Sequence, residues 1–308
     1  MLAEKIMHPE VPLYLTDGGL ETTLVFHDGY DLPEFAAFPL LDTAEGQARL
    51  KAYYESYIHI ARQAGVGFVL ETPTWRASKK WGRLLGYADT DVYRANVMSV
   101  QLMQALRERY ATATTPMLIS GCIGPQDDGY SPQQQLSVAA AETYHRHQVM
   151  AFKAAQADLV TAITMTYPEE AIGITNAAAD CGLPAVISFT VETDGRLPVE
   201  VTLREAIEQV DSQAKVPPAY YMINCAHPDH FQLDKDADWL QRIGGVRANA
   251  SRLSHAELDA SETLDDGNPQ EFGALNLALK ERLPNLRVIG GCCGTDHRHV
   301  CAVAHHCL

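Results

Sequence analysis

The sequence lacks any apolar run of the roughly 20 residues that a membrane-spanning helix needs. The segment from Met1 to Pro12 also lacks the basic-then-apolar pattern of a secretory signal. We therefore expect a cytoplasmic protein with no membrane partner.

Positive charge is scarce. Lys and Arg number 24 against 39 Asp and Glu, which gives a formal net charge of −15. Proteins that bind a phosphate backbone usually have a basic surface, so this excess of negative charge argues against a nucleic-acid partner.

The seven cysteines form neither a CxxC pair nor an even-numbered framework. An odd number scattered through a long chain is untypical of a secreted disulfide scaffold, so we expect reduced thiols. Their use is then packing, catalysis or metal binding.

Linkers rich in proline, glycine or serine, low-complexity tracts and internal repeats are also missing. At 308 residues and 46% hydrophobic composition, the chain can bury a large core. We expect one domain spanning residues 1–308.

Apolar strand-like runs alternate with helix-compatible stretches throughout the sequence. The predicted strands are 11–15, 66–70, 117–123, 159–164, 185–190, 219–225, 245–248 and 287–291. No two are placed to pair through a tight hairpin, which favours parallel strands joined by helices. Because the turn after the first strand, Asp17-Gly18-Gly19, is no G-x-G-x-x-G fingerprint, we predict a (β/α)8 TIM barrel rather than an open doubly wound sheet.

Capping residues predict several helix starts. Thr43 suits the start of a helix that ends at Gly65, and Thr202 begins a capping box. The segment 131–134 has the pattern of a capping box with proline at the first helical position, which predicts a helix running toward residue 157. Further helices are predicted over 91–109, 168–180, 231–243, 269–281 and 296–306.

The segment 287–295 is the most distinctive stretch of the chain. An apolar run enters two glycines, then Cys292 and Cys293, then a third glycine and Thr295, which suits a helix cap. The glycines let the backbone bend so that two neighbouring sulfurs can face a common metal ion. Burial of both cysteines as small hydrophobes is the alternative.

Barrel enzymes carry their active sites at the carboxyl ends of the strands. The residues predicted there are Asp17, Thr72, Trp75, Gly124, Thr164, Thr190, Asn224, Cys225, Cys292 and Cys293. Three cysteines on one rim, with one coordination position open, describe a catalytic zinc site. For Cys122, Cys181, Cys301 and Cys307 we expect packing roles, and His297 and His299 are weaker ligand candidates because they point apart on a helix.

Asp17-Gly18-Gly19, Asn224-Cys225 and the run 290–294 resemble the homocysteine S-methyltransferase family, and the resemblance extends from near residue 13 to near residue 300. It implies a (β/α)8 barrel in which Cys225, Cys292 and Cys293 hold Zn2+. It also implies that Asp17 meets the amino group of homocysteine, and that the backbone at Gly18 and Thr72 meets its carboxylate.

For Asp17 and Trp75, a purely structural role remains an alternative. Asp17 is a common turn residue, and Trp75 buries enough apolar area to be core. In the resemblance, Trp75 matches an aromatic near the methyl donor, where a cation over an aromatic face is the expected contact. Thr164 and Asn224 complete the predicted substrate-binding set.

Some positions depart from the family pattern. Ile163 stands where many relatives carry an amine-binding glutamate, and Arg76 stands where betaine enzymes carry a second aromatic. A guanidinium repels an onium group but can hold a carboxylate of the donor. The loop 124–130 is longer than usual, and the tract 249–259 lacks the proline-asparagine-serine-glycine motif of the S-methylmethionine enzymes.

We therefore expect a zinc methyltransferase that converts homocysteine to methionine. S-methylmethionine or a related sulfonium is the favoured methyl donor, betaine is possible, and a methyl-corrinoid partner is less favoured. The alternatives are another small thiol or selenol as acceptor, or a non-catalytic barrel with structural zinc or a redox-responsive Cys292–Cys293 pair. The sequence leaves a homo-oligomer possible.

Overall fold

Eight parallel strands close into a barrel in the computed structural model, which describes residues 7–233, 237–261 and 263–308. Each strand pairs with its neighbour in the chain, and β1 also pairs with β8 through Tyr14 opposite Val288. The strands are β1 Tyr14–Leu15, β2 Gly67–Glu71, β3 Met117–Ile123, β4 Leu159–Met165, β5 Ala185–Thr190, β6 Tyr221–Asn224, β7 Ile243–Ala248 and β8 Val288–Gly291. The predicted (β/α)8 barrel is confirmed.

Helices connect the strands and surround the barrel. They are α1 Leu20–Thr22, α2 Ala44–Ala64, α3 Lys79–Leu84, α4 Asp89–Tyr110, α5 Val138–Ala154, α6 Pro168–Asp180, α7 Leu203–Gln213, α8 His255–Asp259, α9 Pro269–Arg282 and α10 His297–Cys307. A π-helical turn, Thr23–His27, extends α1. Within the described ranges, no helix combines the length and the apolar character that crossing a bilayer requires.

Several predicted helix ends are confirmed. Thr43 caps α2 by accepting a hydrogen bond from the amide of Gly46, and Gly65 ends it in the left-handed conformation with a φ of 67°. Thr202 and Glu205 form the predicted capping box of α7. These ends were predictable because capping depends on a few residues that are close in sequence.

Two predicted helix starts are wrong by a few residues. The segment 131–134 is loop, and α5 begins after Ser137, whose hydroxyl accepts from the amide of Ala140. The amides of Gln133 and Gln134 instead donate to the carboxylate of Asp127. At the last helix the cap is Asp296, while Thr295 donates its hydroxyl to the carbonyl of Cys292.

The helix predicted over 231–243 is also wrong for the residues that can be described. A short 3-10 turn, Pro228–His230, precedes the predicted span, a second, Asp238–Arg242, lies inside it, and residues 234–236 of the prediction lie outside the described residues. Extended backbone at Phe231 ends the first turn after three residues.

The interior of the barrel changes character along its axis. One cluster of buried apolar side chains, including Tyr14, Val69, Met222 and Val288, fills the end where the strands begin. Nearer the carboxyl ends of the strands, polar side chains face the interior. For example, the hydroxyls of Ser120 and Thr161 lie 2.7 Å apart. This polar layer supports the rim that carries the predicted site.

Candidate metal and substrate site

Three sulfurs meet at the carboxyl end of the barrel. Cys225 follows β6, and Cys292 and Cys293 follow β8. Their Sγ atoms all lie within 4.8 Å of one another, and those of Cys225 and Cys293 are 3.7 Å apart. Among the residues that the structure describes, this is the one group of three or more His, Cys, Asp or Glu side chains placed to share an ion.

Two of these sulfurs are in direct contact. Cys225 and Cys292 have a Cα–Cα distance of 5.4 Å, which is close enough for a disulfide to form, while Cys293 has no such partner among the described residues. The contact pair differs from the vicinal Cys292–Cys293 pair considered as a redox alternative, and the expectation of reduced thiols stays a prediction. All three sulfurs can act as metal ligands only as thiolates.

The backbone around the cysteines is held by hydrogen bonds to neighbouring strands. The amide of Cys225 donates to the backbone carbonyl of Arg247 at 3.1 Å, and the amide of Cys292 donates to the backbone carbonyl of Ala248 at 2.8 Å. A Cβ atom at Gly290 would overlap the hydroxyl of Thr16, and one at Gly291 would overlap that of Thr295. The two glycines are required by this close approach of β8 to its surroundings.

Asn224 and Thr164 contact each other and are fully buried. The amide oxygen of Asn224 accepts from the backbone of Thr164 at 3.0 Å, and its nitrogen donates to the Thr164 hydroxyl at 2.9 Å. The same nitrogen lies 3.9 Å from the sulfur of Cys292. The pair therefore ties β4 to β6 directly beneath the sulfurs.

Asp17 is 3% exposed and faces a cation that the sequence analysis did not single out. Its carboxylate lies 2.8 Å from the guanidinium of Arg247 and accepts from the hydroxyl of Tyr53 at 3.0 Å. Burial raises the pKa of Asp17, and Arg247 and Tyr53 act against that rise. The carbonyl of Gly18 accepts from the same two side chains, at 3.1 Å and 3.0 Å.

Thr72 is used within the sheet. Its amide donates to the carbonyl of Ser120 at 3.0 Å, and its hydroxyl accepts from the amide of Cys122 at 2.9 Å. The backbone donor that the family resemblance assigns to the substrate carboxylate is therefore already paired with β3.

Arg76 lies between two indole rings. Its guanidinium carbon is 4.1 Å from the ring centre of Trp75 and 3.7 Å from that of Trp81. Both rings are fixed through their N–H groups, which donate to the carbonyls of Ile163 and Pro125. The arginine thus occupies an aromatic face on which we had expected an onium group.

The guanidinium of Arg76 is 7% exposed and donates to the carbonyl of Asp127 at 3.2 Å. Its Nε has no hydrogen-bond partner among the described residues. Burial lowers the pKa of Arg76 to about 10, so the group stays cationic at neutral pH. A buried cation with an unused donor can receive an anionic group.

Two aromatic residues that we did not predict as site residues complete the rim. The hydroxyl of Tyr130 lies 3.5 Å from the sulfurs of both Cys225 and Cys293. The ring of Tyr130 stacks on that of His255, with centroids 4.1 Å apart. Tyr130 belongs to the long loop 124–130 and His255 to the tract 249–259, so the two departures from the family pattern were the signal that pointed to them.

The other candidates lie elsewhere. His299 is buried and contacts Asp296 and the carbonyl of Asp266. His297 is exposed at the start of α10. Ile163 is 7% exposed, and its carbonyl accepts from Trp75.

The barrel fold and the cysteine cluster at the carboxyl ends of its strands are the two features by which this protein can be classified. A profile of the homocysteine S-methyltransferase family matches residues 14–307. The chain belongs to the homocysteine S-methyltransferase family and is a methyltransferase.

Solved structures agree with the fold. The metallated form of the homocysteine methyltransferase MmuM from Escherichia coli superposes with a TM-score of 0.74 at 20% identity, covering 98% of this chain and 99% of that one. Its oxidized form gives the same values, and its apo form gives a TM-score of 0.68 with 99% of each chain covered. No curated protein sequence matches the chain.

Proposed function

We propose that this protein is a zinc-dependent homocysteine S-methyltransferase that produces methionine. The observation that carries the proposal is the gathering of Cys225, Cys292 and Cys293 within 4.8 Å at the rim of a barrel of this family. We propose these three as the metal ligands. A reducing compartment such as the cytoplasm would keep them as thiols.

One pair of sulfurs already has the spacing that zinc requires. Two sulfurs about 2.3 Å from a tetrahedral ion lie about 3.8 Å apart. Cys225 and Cys293 are separated by 3.7 Å. Three thiols leave one of four positions for a substrate, and zinc there would lower the pKa of the homocysteine thiol so that it is present as a thiolate.

The chain's own residues would bind and orient the two substrates. We propose that the carboxylate of Asp17 binds the amino group of homocysteine. The same carboxylate contacts Arg247 and Tyr53, so the amino group would be its third partner. Asn224 and Thr164 hold the floor of the site. Gly18 remains the proposed backbone contact of the acceptor's carboxylate, whereas the amide of Thr72 is already paired with the carbonyl of Ser120.

On the donor side we propose a sulfonium such as S-methylmethionine, with betaine as the second choice. Arg76 supports a donor that carries a carboxylate, since its Nε is unused and its charge is buried. Trp75 would line the pocket. The acceptor sulfur forms a bond to the methyl carbon while the donor's bond to that carbon breaks, and the bonding electron pair neutralises the departing onium atom.

A different acceptor is the second candidate. Ile163 offers no carboxylate to an amino group, and its carbonyl is already used by Trp75. Small thiols and selenols that lack the amino acid portion of homocysteine are therefore the alternative acceptors to test.

The test uses reduced, zinc-loaded protein with homocysteine and a panel of sulfonium and quaternary ammonium donors, read by mass spectrometry. We expect methionine and about one zinc per chain, and loss of both in Cys225→Ala and Cys293→Ala. Cys301→Ala, which changes an exposed cysteine of α10, is the control and should keep both. Folded, zinc-loaded protein that makes no methylated product with any donor or acceptor would overturn the proposal.

A further inference from the structure

His255 bridges two parts of the rim. It is 5% exposed and stands at the first position of α8, whose start is capped by Ser254. Its Nε2 lies 2.6 Å from the carbonyl oxygen of Cys225, and its Nδ1 lies 3.1 Å from the carboxylate of Glu192. Because a carbonyl only accepts, Nε2 must be the donor in the first contact.

Cys225 needs such support. Its φ is 55°, in the left-handed region that residues with a side chain rarely adopt. That conformation is strained and persists only when its surroundings hold it. The amide of Cys225 is held by the carbonyl of Arg247, and its carbonyl is held by His255. The two hydrogen bonds fix the peptide planes on either side of the residue whose sulfur enters the cluster.

The same imidazole also supports Tyr130. The two rings stack with an interplanar angle of 27°, and the phenol hydroxyl lies 3.5 Å from two sulfurs of the cluster. The amide of Tyr130 donates to the carboxylate of Asp128 at 2.8 Å, which fixes the other end of the residue. The hydroxyl of Tyr130 is therefore held next to the sulfur cluster.

We propose that His255 is a positioning residue that holds both the strained backbone of Cys225 and the hydroxyl of Tyr130 against the sulfur cluster. The metal-binding part of this inference rests on the proposed function. The placement of Cys225 does not, because it concerns the protein without metal.

The two ring nitrogens can be tested separately. The side-chain amide of glutamine reaches the position of Nε2 and can donate to the carbonyl of Cys225. The amide of asparagine reaches the position of Nδ1 and can contact only Glu192. His255→Gln and His255→Asn are thus a matched polar pair: both lose the ring that stacks on Tyr130, and each keeps a different one of the two hydrogen bonds. His145→Gln is the control, since His145 is 1% exposed and pairs with Glu170 on α6.

The first measurement is zinc affinity of the reduced, full-length protein by competition with a coloured chelator. Loss of a group that supports a metal ligand typically costs about 10- to 100-fold in affinity. We expect His255→Asn to lose at least about tenfold and His255→Gln to stay within about threefold of the wild type. His145→Gln should not change it.

The second measurement needs no metal. Metal-free protein is equilibrated in a glutathione buffer of fixed ratio, and the Cys225–Cys292 disulfide is quantified by mass spectrometry. We expect a lower ratio of disulfide to dithiol in His255→Asn and a near wild-type ratio in His255→Gln, because only the latter holds Cys225 in the position that a disulfide with Cys292 requires.

The outcomes separate the two proposals. If His255→Asn matches the wild type in both measurements, the positioning role is wrong even though zinc binding and methyl transfer stand. If the wild type binds no zinc but the disulfide ratio still separates asparagine from glutamine, the positioning of Cys225 is supported and the zinc function is wrong. Circular dichroism on each variant verifies that the comparison is made between folded proteins.

Discussion

The guanidinium of Arg247 lies 2.8 Å from the carboxylate of Asp17 across the mouth of the barrel, and both side chains are more than nine-tenths buried. Arg247 also donates to the carbonyls of Gly18 and Gly291. One arginine on β7 thereby joins the loop that follows β1 to the end of β8, the strand that leads into Cys292 and Cys293.

Removing the arginine should be costly. Arg247→Met leaves Asp17 buried without its partner, and breaking a buried ion pair from one side typically costs about 3–5 kcal/mol. We expect a loss of that size in the free energy of unfolding, measured with urea on the reduced protein. The double variant Asp17→Asn with Arg247→Met should recover part of it, since no uncompensated charge remains. A single variant within about 1 kcal/mol of the wild type would contradict this account.

Glu71 gives a pH dependence to stability. Burial raises its pKa from 4.5 to about 7, and Arg247 opposes that rise. A carboxyl with a raised folded pKa favours folding while protonated, so its contribution is lost as pH rises from 4.5 toward about 7 and is constant above that. Glu71→Gln should therefore be stabilised relative to the wild type at pH above that window, by up to about 3 kcal/mol, and little changed well below it.

The measurement is the thermal midpoint of each protein at both ends of that window. Glu281→Gln, an exposed glutamate on α9, is the control and should show no such difference. If Glu71→Gln shifts the midpoint equally at both pH values, titration of Glu71 is not the cause.

Arg76 should discriminate between methyl donors. Arg76→Met removes the proposed partner of the donor's carboxylate, and a hydrogen bond to a charged group is worth about 1.5–3 kcal/mol. We expect kcat/KM for S-methylmethionine to fall by about 10- to 100-fold, while trimethylsulfonium, which has no carboxylate, is used no worse. Arg83→Met, at an exposed arginine of α3, should leave both donors unchanged. Equal losses for the two donors would point to a damaged pocket instead.

Metal removal should change the reactivity of the cysteines in a defined way. In reduced, zinc-loaded protein, Ellman's reagent should react first with the exposed Cys301. Burial raises the pKa of Cys122 well above its usual range, so this thiol should react only on unfolding. A chelator should add three reactive thiols, those of Cys225, Cys292 and Cys293. An unchanged thiol count after metal removal would argue that these sulfurs are not the ligands.

Much of the fold was predictable from local patterns. Strands such as Met117–Ile123 and Ala185–Thr190 and the helix Pro168–Asp180 were predicted at their observed bounds because apolar runs, prolines and caps are read within a few residues. The predictions failed where a distant or competing partner takes the backbone. Asp127 binds the amides at 133 and 134, and the connection from β6 to β7 forms two 3-10 turns.

By itself, the sequence predicted the barrel and the meeting of three cysteines, because eight strand-helix alternations without a dinucleotide fingerprint favour a closed barrel, and the carboxyl ends of parallel strands share one rim. Only the tertiary structure decided that Asp17 faces Arg247, that Arg76 occupies the face of Trp75, and that Tyr130 stacks on His255 with its hydroxyl beside the sulfurs. Asp17 and Arg247, like Tyr130 and His255, are more than a hundred positions apart, and Arg76 covers the ring of its sequence neighbour Trp75 through the direction of its side chain. Their partners depend on side-chain directions and packing, which no local pattern in the chain records.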